Sequence, residues 1–289
     1  MPISLIAPPP TPFNAQGEID LSQVDKLAAH LSRTGVQGVF LCGSTGEGMS
    51  LAVSERMEIA EAWAEVAPIY GLKTIAQVGA NSQRDAIDLA QHASRLGIDA
   101  ISAHAPCYFR PQSVESLIRF FAPVAGAAGD TPFFFYDIPQ LTGVDLPTAQ
   151  FLVEALPQIP TLAGVKYTNA NLALLQECMR IEEGRFQVYF GCDEALLAGY
   201  VLGAEGAIGS TYNFMAPIAH QIVHACDVGD FELARTLQAK VVTIVNILAE
   251  YGYLAAAKVV MEIFDIDCGT VRQPAWRSRC TMRCRVMKK

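Results

Sequence analysis

The sequence predicts an α/β protein, a closed (β/α)8 barrel (TIM barrel) with additional C-terminal helices, from three observations. Eight short apolar runs alternate with longer segments of helical periodicity. The runs are almost continuously apolar, as expected of parallel strands covered on both faces. A length of 289 residues suits one barrel with an extension, and no Pro-, Gly- or Ser-rich linker separates two domains. An open doubly wound sheet is the alternative, but no G-x-G-x-x-G follows the first run, which weakens its dinucleotide-binding form.

The elements follow one another in a regular order. The predicted strands cover residues 3–8, 38–43, 73–78, 100–105, 132–138, 162–167, 187–191 and 206–209. Helical periodicity is clearest at residues 21–33, 54–67, 82–96 and 113–125. Each of these helices has a candidate N-cap whose side-chain oxygen can accept a backbone N–H, namely Asp20 or Ser22, Ser54, Ser82 and Ser113.

Three parts of the chain are expected. Residues 1–213 form the barrel strands and first helices, and residues 214–271 form the last barrel helix and a C-terminal helical extension. Residues 214–264 look helical throughout, more than one barrel helix needs, so two or three extra helices are expected outside the barrel. Residues 272–289 form a tail with seven Lys and Arg and no acidic residue. We expect this tail to be solvated and without fixed structure; contact with the acidic body is the alternative.

Composition excludes several classes of protein. Hydrophobic residues make up 51% of the chain and charged residues 17%, which excludes a disordered chain. The net charge of −8 divides into +7 on the tail and −15 on the body, where 14 basic residues face 29 acidic ones. An acidic body is a poor nonspecific ligand for nucleic acid, and we expect no nucleic-acid partner.

The cellular compartment follows from apolar runs and cysteines. No run of 18 apolar residues is present, so we expect no transmembrane helix and no membrane partner. The N-terminus lacks the positive region of a signal peptide and is predicted to form the first strand. Eight cysteines are too sparse for a disulfide scaffold. These features favour a reduced, cytoplasmic enzyme.

Chemistry in such barrels lies where the strands end, at their carboxyl termini. Lys166, in the sixth strand, is the only charge in an apolar segment. Burial lowers the pKa of an amine and prepares it to attack a carbonyl; a lysine that reaches solvent from the strand end is the alternative. Tyr136 ends the fifth strand and is either a proton-transfer group or a packed ring with a hydrated hydroxyl.

Three loops after strands carry further polar groups. Ser44 and Thr45 lie in a glycine-rich turn that either binds an anion such as a carboxylate or simply caps the next helix. Asp193, Glu194 and Ser210 follow strands seven and eight and either bind a polyol or cap helices. We expect no metal site: His220 and His224 are four residues apart but lack the Glu of H-E-x-x-H, and His104 suits a hydrogen-bonded core position.

Three motifs in order resemble one known family. They are Gly43-Ser-Thr-Gly-Glu47 after strand two, Tyr136-Asp-Ile-Pro-x-x-Thr-Gly143 after strand five, and Gly164-Val-Lys166 in strand six. Their combination and spacing are similar to the dihydrodipicolinate synthase / N-acetylneuraminate lyase family over residues 7–264. The basic tail matches nothing familiar. The resemblance implies a barrel with extra C-terminal helices, a homotetramer, and action on pyruvate or other 2-oxo acids without metal or other cofactor.

The resemblance also implies roles for individual residues. Lys166 is the Schiff-base lysine and Tyr136 the proton-transfer tyrosine beside it. Ser44 and Thr45 hold the pyruvate carboxylate. Tyr108 is similar to the tyrosine that these enzymes lend to a neighbouring subunit, which would complete a Ser44–Tyr136–Tyr108 relay.

Substrate choice is implied by other positions. Dihydrodipicolinate synthases carry arginine where this chain has Leu141, which argues against that reaction, and we place Leu141 among the substrate-binding residues. The lyase branch binds the sugar acid through residues that match Gly191, Asp193, Glu194 and Ser210, and we place Thr168 with them. Asp137 departs from the Asn or His of many relatives; its carboxylate either raises the pKa of Lys166 or faces away from it.

The function implied is a class I retro-aldol cleavage of N-acetylneuraminate to N-acetylmannosamine and pyruvate. An aldolase for another 2-oxo sugar acid, such as 2-keto-3-deoxygluconate, is the first alternative, and a dihydrodipicolinate synthase-like enzyme is the second. A catalytically silent barrel that binds 2-oxo acids is the alternative from a different class. The complete set of Lys166, Tyr136 and Ser44 argues against the silent barrel.

Overall fold

A computed structural model describes residues 3–275, and its eight strands form one closed parallel barrel in chain order. This confirms the predicted fold class. The strands are β1 Ser4–Ala7, β2 Gly38–Leu41, β3 Lys73–Gln77, β4 Ala100–His104, β5 Phe133–Asp137, β6 Leu162–Tyr167, β7 Gln187–Phe190 and β8 Gly206–Ile208. Each lies within its predicted range, because strands covered on both faces leave an unbroken apolar signal.

Helices follow the strands and cover the outside of the barrel. They are α1 Val24–Arg33, α2 Val53–Val66, α3 Gln83–Arg95, α4 Val114–Ala127, α5 Pro139–Thr142, α6 Thr148–Ala155, α7 Leu172–Arg180, α8 Leu196–Val201, α9 Tyr212–Asp227, α10 Phe231–Glu250 and α11 Tyr253–Met261. The large hydrophobic core lies between this layer and the strands. A smaller cluster fills the barrel interior, and it includes Phe40, Phe134 and Tyr136.

The predicted N-caps Asp20, Ser82 and Ser113 are confirmed, and Ser54 is wrong. The Asp20 carboxylate accepts from the Ser22 N–H at 3.1 Å, at the 3₁₀ turn Leu21–Gln23 that precedes α1. The Ser82 side chain accepts from the Asp85 N–H, and that of Ser113 accepts from the Ser116 N–H. Ser54, however, lies inside α2, whose N-cap is Ala52. The Glu55 carboxylate reaches back and accepts from the Ala52 N–H at 2.8 Å, so the cap is supplied by a side chain within the first turn.

The C-terminal region, predicted to be helical over residues 214–264, is three helices separated by two short breaks. The first helix, α9, ends at Asp227, and the Asp230 side chain caps α10 by accepting from the Leu233 N–H at 2.9 Å. A short 3₁₀ turn, Glu262–Phe264, follows α11. Since α9 is the eighth barrel helix, α10 and α11 are the extension, which agrees with the two or three extra helices expected.

No single helix within residues 3–275 has the length and apolar composition that a membrane crossing requires. Phe231–Glu250 and Tyr253–Phe264 reach that length and apolar composition only when taken together, and the two segments are bent by 110° relative to each other.

The start of the predicted tail packs on the barrel body. The Arg272 guanidinium donates to both carboxylate oxygens of Glu55, at 2.6 and 2.5 Å, and to the Gly17 carbonyl at 2.8 Å. These contacts favour the alternative, contact with the acidic body, for this residue. The remainder of the predicted tail, residues 276–289, lies outside the described residues.

Candidate active site

The site begins with a buried amine at the carboxyl end of the barrel. Lys166 lies in β6 in register with Tyr136 of β5, and only 4% of its surface is exposed. Its Nζ is 3.9 Å from the centroid of the Phe40 ring and 4.0 Å from that of the Tyr136 ring. Burial lowers the pKa of the Lys166 amine, although the Tyr136 hydroxyl and the Asp193 carboxylate oppose that shift. Lys166 therefore has the environment of a nucleophilic amine.

A hydroxyl pair lies beside this amine. The Tyr136 hydroxyl is 3.4 Å from the Ser44 Oγ, which follows β2. The Phe40 ring packs edge-on against the Tyr136 ring with centroids 5.4 Å apart, and His104 packs on it at 6.4 Å. The structure thus brings together Lys166, Tyr136 and Ser44, from strands β6, β5 and β2, as the sequence predicts.

The Ser44–Thr45 turn is tightly closed. The Glu47 N–H donates to the Ser44 carbonyl, and the Gly48 N–H donates to the Gly43 carbonyl, both at 3.1 Å. A Cβ placed on Gly48 would lie 1.9 Å from the Cys42 carbonyl oxygen, so only glycine allows this closure. Thr45 is half-buried and Ser44 is exposed at the barrel mouth. The turn can therefore present hydroxyl groups to a small anion.

Asp193 anchors the opposite side of the site. Its buried carboxylate accepts from the Thr211 N–H at 2.7 Å and from the Ser210 hydroxyl at 3.4 Å. Burial raises the pKa of Asp193 to about 6, against the stabilising hydrogen bonds of Thr211. The Ser210 Oγ also lies 2.6 Å from the Tyr253 hydroxyl of α11. Asp193 thus positions the loop after β8, while the neighbouring Glu194 is exposed.

One hydroxyl in the site has no partner. The Thr168 Oγ1 is buried and makes no hydrogen bond within the described residues. A Cβ placed on Gly191 would lie 2.0 Å from this oxygen, so the absence of a side chain at Gly191 leaves the hydroxyl room. A buried hydroxyl without a partner is rare in native proteins and fits a contact with a ligand hydroxyl.

The comparisons with known proteins agree with this geometry. The model of the dihydrodipicolinate synthetase family matches residues 1–289. The chain belongs to this family. Because the match spans the whole sequence, it also includes the basic tail, which the motif resemblance over residues 7–264 left out.

Several characterised members of the family are similar along most of the chain. Human N-acetylneuraminate lyase is 36% identical over 274 residues, which cover 93% of this chain and 86% of the human protein. The solved N-acetylneuraminate lyase (sialic acid aldolase) of Aliivibrio salmonicida is 37% identical with a TM-score of 0.96, over 99% of this chain and 95% of that one. The Proteus mirabilis N-acetylneuraminate lyase is 35% identical with a TM-score of 0.96, over 99% and 96%.

Two predicted site residues of this family member lie on its surface. Tyr108 is 78% exposed, and its ring packs edge-on against the exposed Phe109 ring at 4.9 Å. The Asn81 side chain accepts from the Tyr108 N–H at 3.1 Å and so orients the loop after β4. Leu141, on α5, is 65% exposed. The relay through Tyr108 and the contact of Leu141 with substrate remain predictions.

Asp137, where many relatives carry Asn or His, faces away from the amine. Its carboxylate accepts from the Thr148 hydroxyl at 3.0 Å and from the Asn169 amide at 3.2 Å. It is not among the groups that shift the pKa of Lys166. Burial raises the pKa of Asp137 itself to about 6, although both hydrogen bonds oppose this. The structure therefore supports the second of the two interpretations, a carboxylate in the layer outside the barrel.

We expect Asp137→Asn to stabilise the protein at neutral pH without loss of activity. The folded state holds the Asp137 proton up to about pH 6, whereas the unfolded state releases it near its ordinary value of 3.8. Stability from this group is therefore fully present below about pH 4 and declines as the pH rises to about 6. Above that, the ionised group costs on the order of 2–3 kcal/mol, which a neutral amide avoids.

Urea unfolding at several pH values between 5 and 8 measures this difference. The free energy of unfolding of the variant should exceed that of the unsubstituted protein most at pH 7 to 8 and least at pH 5. Equal stability of the two proteins at pH 8 would contradict the assigned cause.

Two of the three histidines named above make structural contacts. His104 Nδ1 lies 2.8 Å from the Ala105 carbonyl oxygen, and His220 Nε2 lies 3.1 Å from that of Gly35. In the part of the chain that the structure describes, no group of three or more His, Cys, Asp and Glu side chains is placed to hold a metal ion.

Sequence reasoning missed two residues of the site. Phe40 forms one wall of the Lys166 pocket, but an aromatic residue in an apolar strand has no distinguishing signal. Tyr253 lies beside Ser210 although 43 residues separate them. Only the expectation that the helical extension packs near the carboxyl end of the barrel could have drawn attention to it.

Proposed function

We propose that this chain is a class I aldolase that cleaves N-acetylneuraminate to N-acetylmannosamine and pyruvate. The observation that carries the proposal is the buried Lys166 amine between the Phe40 and Tyr136 rings, with a lowered pKa. The assignment to the lyases of the family is supported by the similarity to N-acetylneuraminate lyases over most of the chain. The leucine at position 141, where dihydrodipicolinate synthases carry arginine, supports the distinction from those enzymes.

In the first stage, the neutral Lys166 amine attacks the C2 ketone of the open-chain sugar acid. The Tyr136 hydroxyl protonates the departing hydroxyl of the resulting carbinolamine. Loss of water then leaves an iminium on Nζ, which withdraws electrons from the neighbouring carbons. The Ser44 and Thr45 turn holds the substrate carboxylate through its hydroxyls. An acidic body thus binds an anionic substrate through local donors and the iminium, with no basic surface needed.

In the second stage, the Tyr136 oxygen, which gave up its proton in the first stage, accepts the proton of the C4 hydroxyl, and Ser44 and Tyr108 complete the proton relay around it. The C3–C4 bond breaks, and its electron pair moves toward the iminium to form an enamine. N-acetylmannosamine leaves as the aldehyde. Protonation of C3 and hydrolysis of the resulting imine release pyruvate and restore Lys166.

The remaining polar residues suit the sugar hydroxyls. Thr168, with its unpartnered Oγ1, lies beside Gly191. Asp193 and Glu194 follow in the same loop after β7, and Ser210 lies in the neighbouring loop after β8. We propose that these five residues bind the polyol chain. No external cofactor is needed, because the Lys166 Schiff base supplies the electron sink. We also propose a cytoplasmic homotetramer in which Tyr108 completes the site of a neighbour.

Gly191→Ala should weaken binding of the sugar acid more than that of pyruvate. The new Cβ would displace the Thr168 hydroxyl, and loss of one such hydrogen bond of about 1 kcal/mol corresponds to a KM for N-acetylneuraminate that is raised severalfold. Steady-state kinetics measure this KM, and the pyruvate concentration for half-maximal borohydride trapping should stay unchanged. Gly126→Ala is the matched control, because a Cβ at Gly126 meets nothing within 4 Å. An unchanged KM in the Gly191→Ala variant would contradict the proposed contact between the Thr168 hydroxyl and the sugar acid.

The substrate assignment is tested by comparing N-acetylneuraminate with 2-keto-3-deoxygluconate in the same pyruvate-release assay. We expect a higher kcat/KM for N-acetylneuraminate. The reverse preference would assign the chain to the other sugar acid. If the protein traps pyruvate on Lys166 but turns over neither sugar acid, the proposed cleavage is overturned.

A further inference from the structure

A buried ion pair connects the C-terminal extension to the turn after β2. Lys258, on α11, places its Nζ 2.6 Å from the Glu47 Oε1, and the two side chains are 1% and 2% exposed. Glu47 lies two residues after Thr45, in the turn that carries Ser44 and Thr45. Buried charges of this kind are costly to remove from water and persist where they are well paired.

Lys258 is saturated with partners. Besides its ion pair with Glu47, its ammonium donates to the Thr11 carbonyl at 2.8 Å and to the Thr270 carbonyl at 2.9 Å, so three oxygen atoms surround it. The Phe13 ring centroid lies 4.2 Å from Nζ and closes the remaining side. Lys258 is therefore enclosed and out of reach of a ligand, and its role is to hold other parts of the protein.

The turn is held at two adjacent residues. The Thr11 hydroxyl donates to the Gly46 carbonyl at 2.6 Å, while the Thr11 carbonyl accepts from Lys258. The second carboxylate oxygen of Glu47 accepts from the Arg272 N–H at 2.8 Å. Gly46 and Glu47 are thus fixed by a cluster that includes residues 258, 270 and 272 of the C-terminal region.

Glu47 also has a strained backbone. Its φ is +54°, in the left-handed region that residues other than glycine rarely adopt. Such a conformation persists only where the surroundings enforce it, and it is common at functional sites. The ion pair supplies that enforcement, because the Glu47 side chain is held from both oxygens while its N–H closes the turn on the Ser44 carbonyl.

We propose that Glu47 and Lys258 are positioning residues that hold the Ser44–Thr45 turn in the conformation that receives the substrate carboxylate. This inference rests on the proposed function, in which that turn is the carboxylate anchor. It gives the C-terminal extension a part in substrate binding. Neither residue needs to touch the substrate, since each acts through the backbone of the turn.

The test uses Glu47→Gln and Lys258→Met in the full-length protein. Borohydride trapping on Lys166 is measured against the concentration of pyruvate and, in parallel, of hydroxyacetone, a ketone without a carboxylate. We expect the half-saturating pyruvate concentration to rise about tenfold or more, with little change in the maximal trapped fraction. The response to hydroxyacetone should be unchanged. A merely structural role would weaken trapping of both ketones alike.

The controls separate folding from positioning. Lys73→Met is the matched variant, because Lys73 pairs with Asp99 at 2.8 Å but is exposed and lies at the amino-terminal end of β3. Where a single variant unfolds, the double variant Glu47→Leu/Lys258→Met restores an uncharged core. We expect it to fold, as judged by circular dichroism, yet to keep the raised requirement for pyruvate.

Two negative outcomes are distinguishable. If the unsubstituted protein itself fails to trap pyruvate on Lys166, the proposed function fails. If it traps pyruvate, and the folded variants need no more pyruvate than it does, the proposed function stands and the positioning role of Glu47 and Lys258 is overturned.

Discussion

Replacement of Lys166 by alanine should abolish cleavage of N-acetylneuraminate, with a loss of turnover on the order of 10⁵–10⁶-fold, as when a covalent nucleophile is removed. The reason is chemical, because no other amine among the described residues lies at the centre of the barrel mouth between the Phe40 and Tyr136 rings. Steady-state release of pyruvate measures the effect.

The fold of the Lys166→Ala variant is expected to survive, since the removed side chain is one position in a barrel interior filled by Phe40, Tyr136 and their neighbours. Circular dichroism and thermal unfolding check this. Asp137→Asn is the matched control, because Asp137 lies in the adjacent strand but faces the outer layer and should retain activity. Turnover of the alanine variant within about tenfold of the unsubstituted protein would rule out a Lys166 Schiff base.

Tyr136→Phe should lower kcat by about 10²–10⁴-fold, the usual contribution of a positioned proton-transfer group. The change removes the hydroxyl that lies 3.4 Å from Ser44 but keeps the ring that packs on Phe40 and Lys166. KM should change little, because the hydroxyl acts in bond cleavage more than in binding. Steady-state kinetics at pH 7 to 8 give both constants.

Tyr189→Phe is the control for the hydroxyl of Tyr136. Tyr189 is also in register with Lys166, on the other side of β6, but its hydroxyl donates to the Gln187 side chain instead of lying in the hydroxyl pair with Ser44. It should leave kcat essentially unchanged. If Tyr136→Phe also retained full kcat, the proton would have to leave C4 by another route, and the assigned role of Tyr136 would be wrong.

The barrel could be predicted from the sequence because each strand is marked by its own apolar composition. A strand buried on both faces must be apolar at nearly every position, so each of the eight runs marks a strand without reference to any other. The closed parallel order then places the ends of β2, β5 and β6 at one face. Ser44, Tyr136 and Lys166 could therefore be expected to meet, and they do.

Other features depend on contacts that no local pattern records. Glu47 and Lys258 are far apart in the chain, and each is an ordinary charged residue in its own segment, yet together they form a buried pair. The orientation of Asp137 depends on Thr148 and Asn169, which lie on separate elements. The cap of α2 was misassigned because a glutamate inside the helix takes the place of a capping serine.

The most direct test of the central claim is reduction with borohydride in the presence of pyruvate, followed by peptide mass spectrometry. The proposal predicts one reduced pyruvate adduct, carried by Lys166, and an adduct on the same lysine when N-acetylneuraminate replaces pyruvate, because its cleavage leaves pyruvate bound to that amine. It also predicts no adduct on Lys258, which is buried and paired with Glu47. Absence of any adduct, or its location on a lysine other than Lys166, would contradict the proposed Schiff-base mechanism.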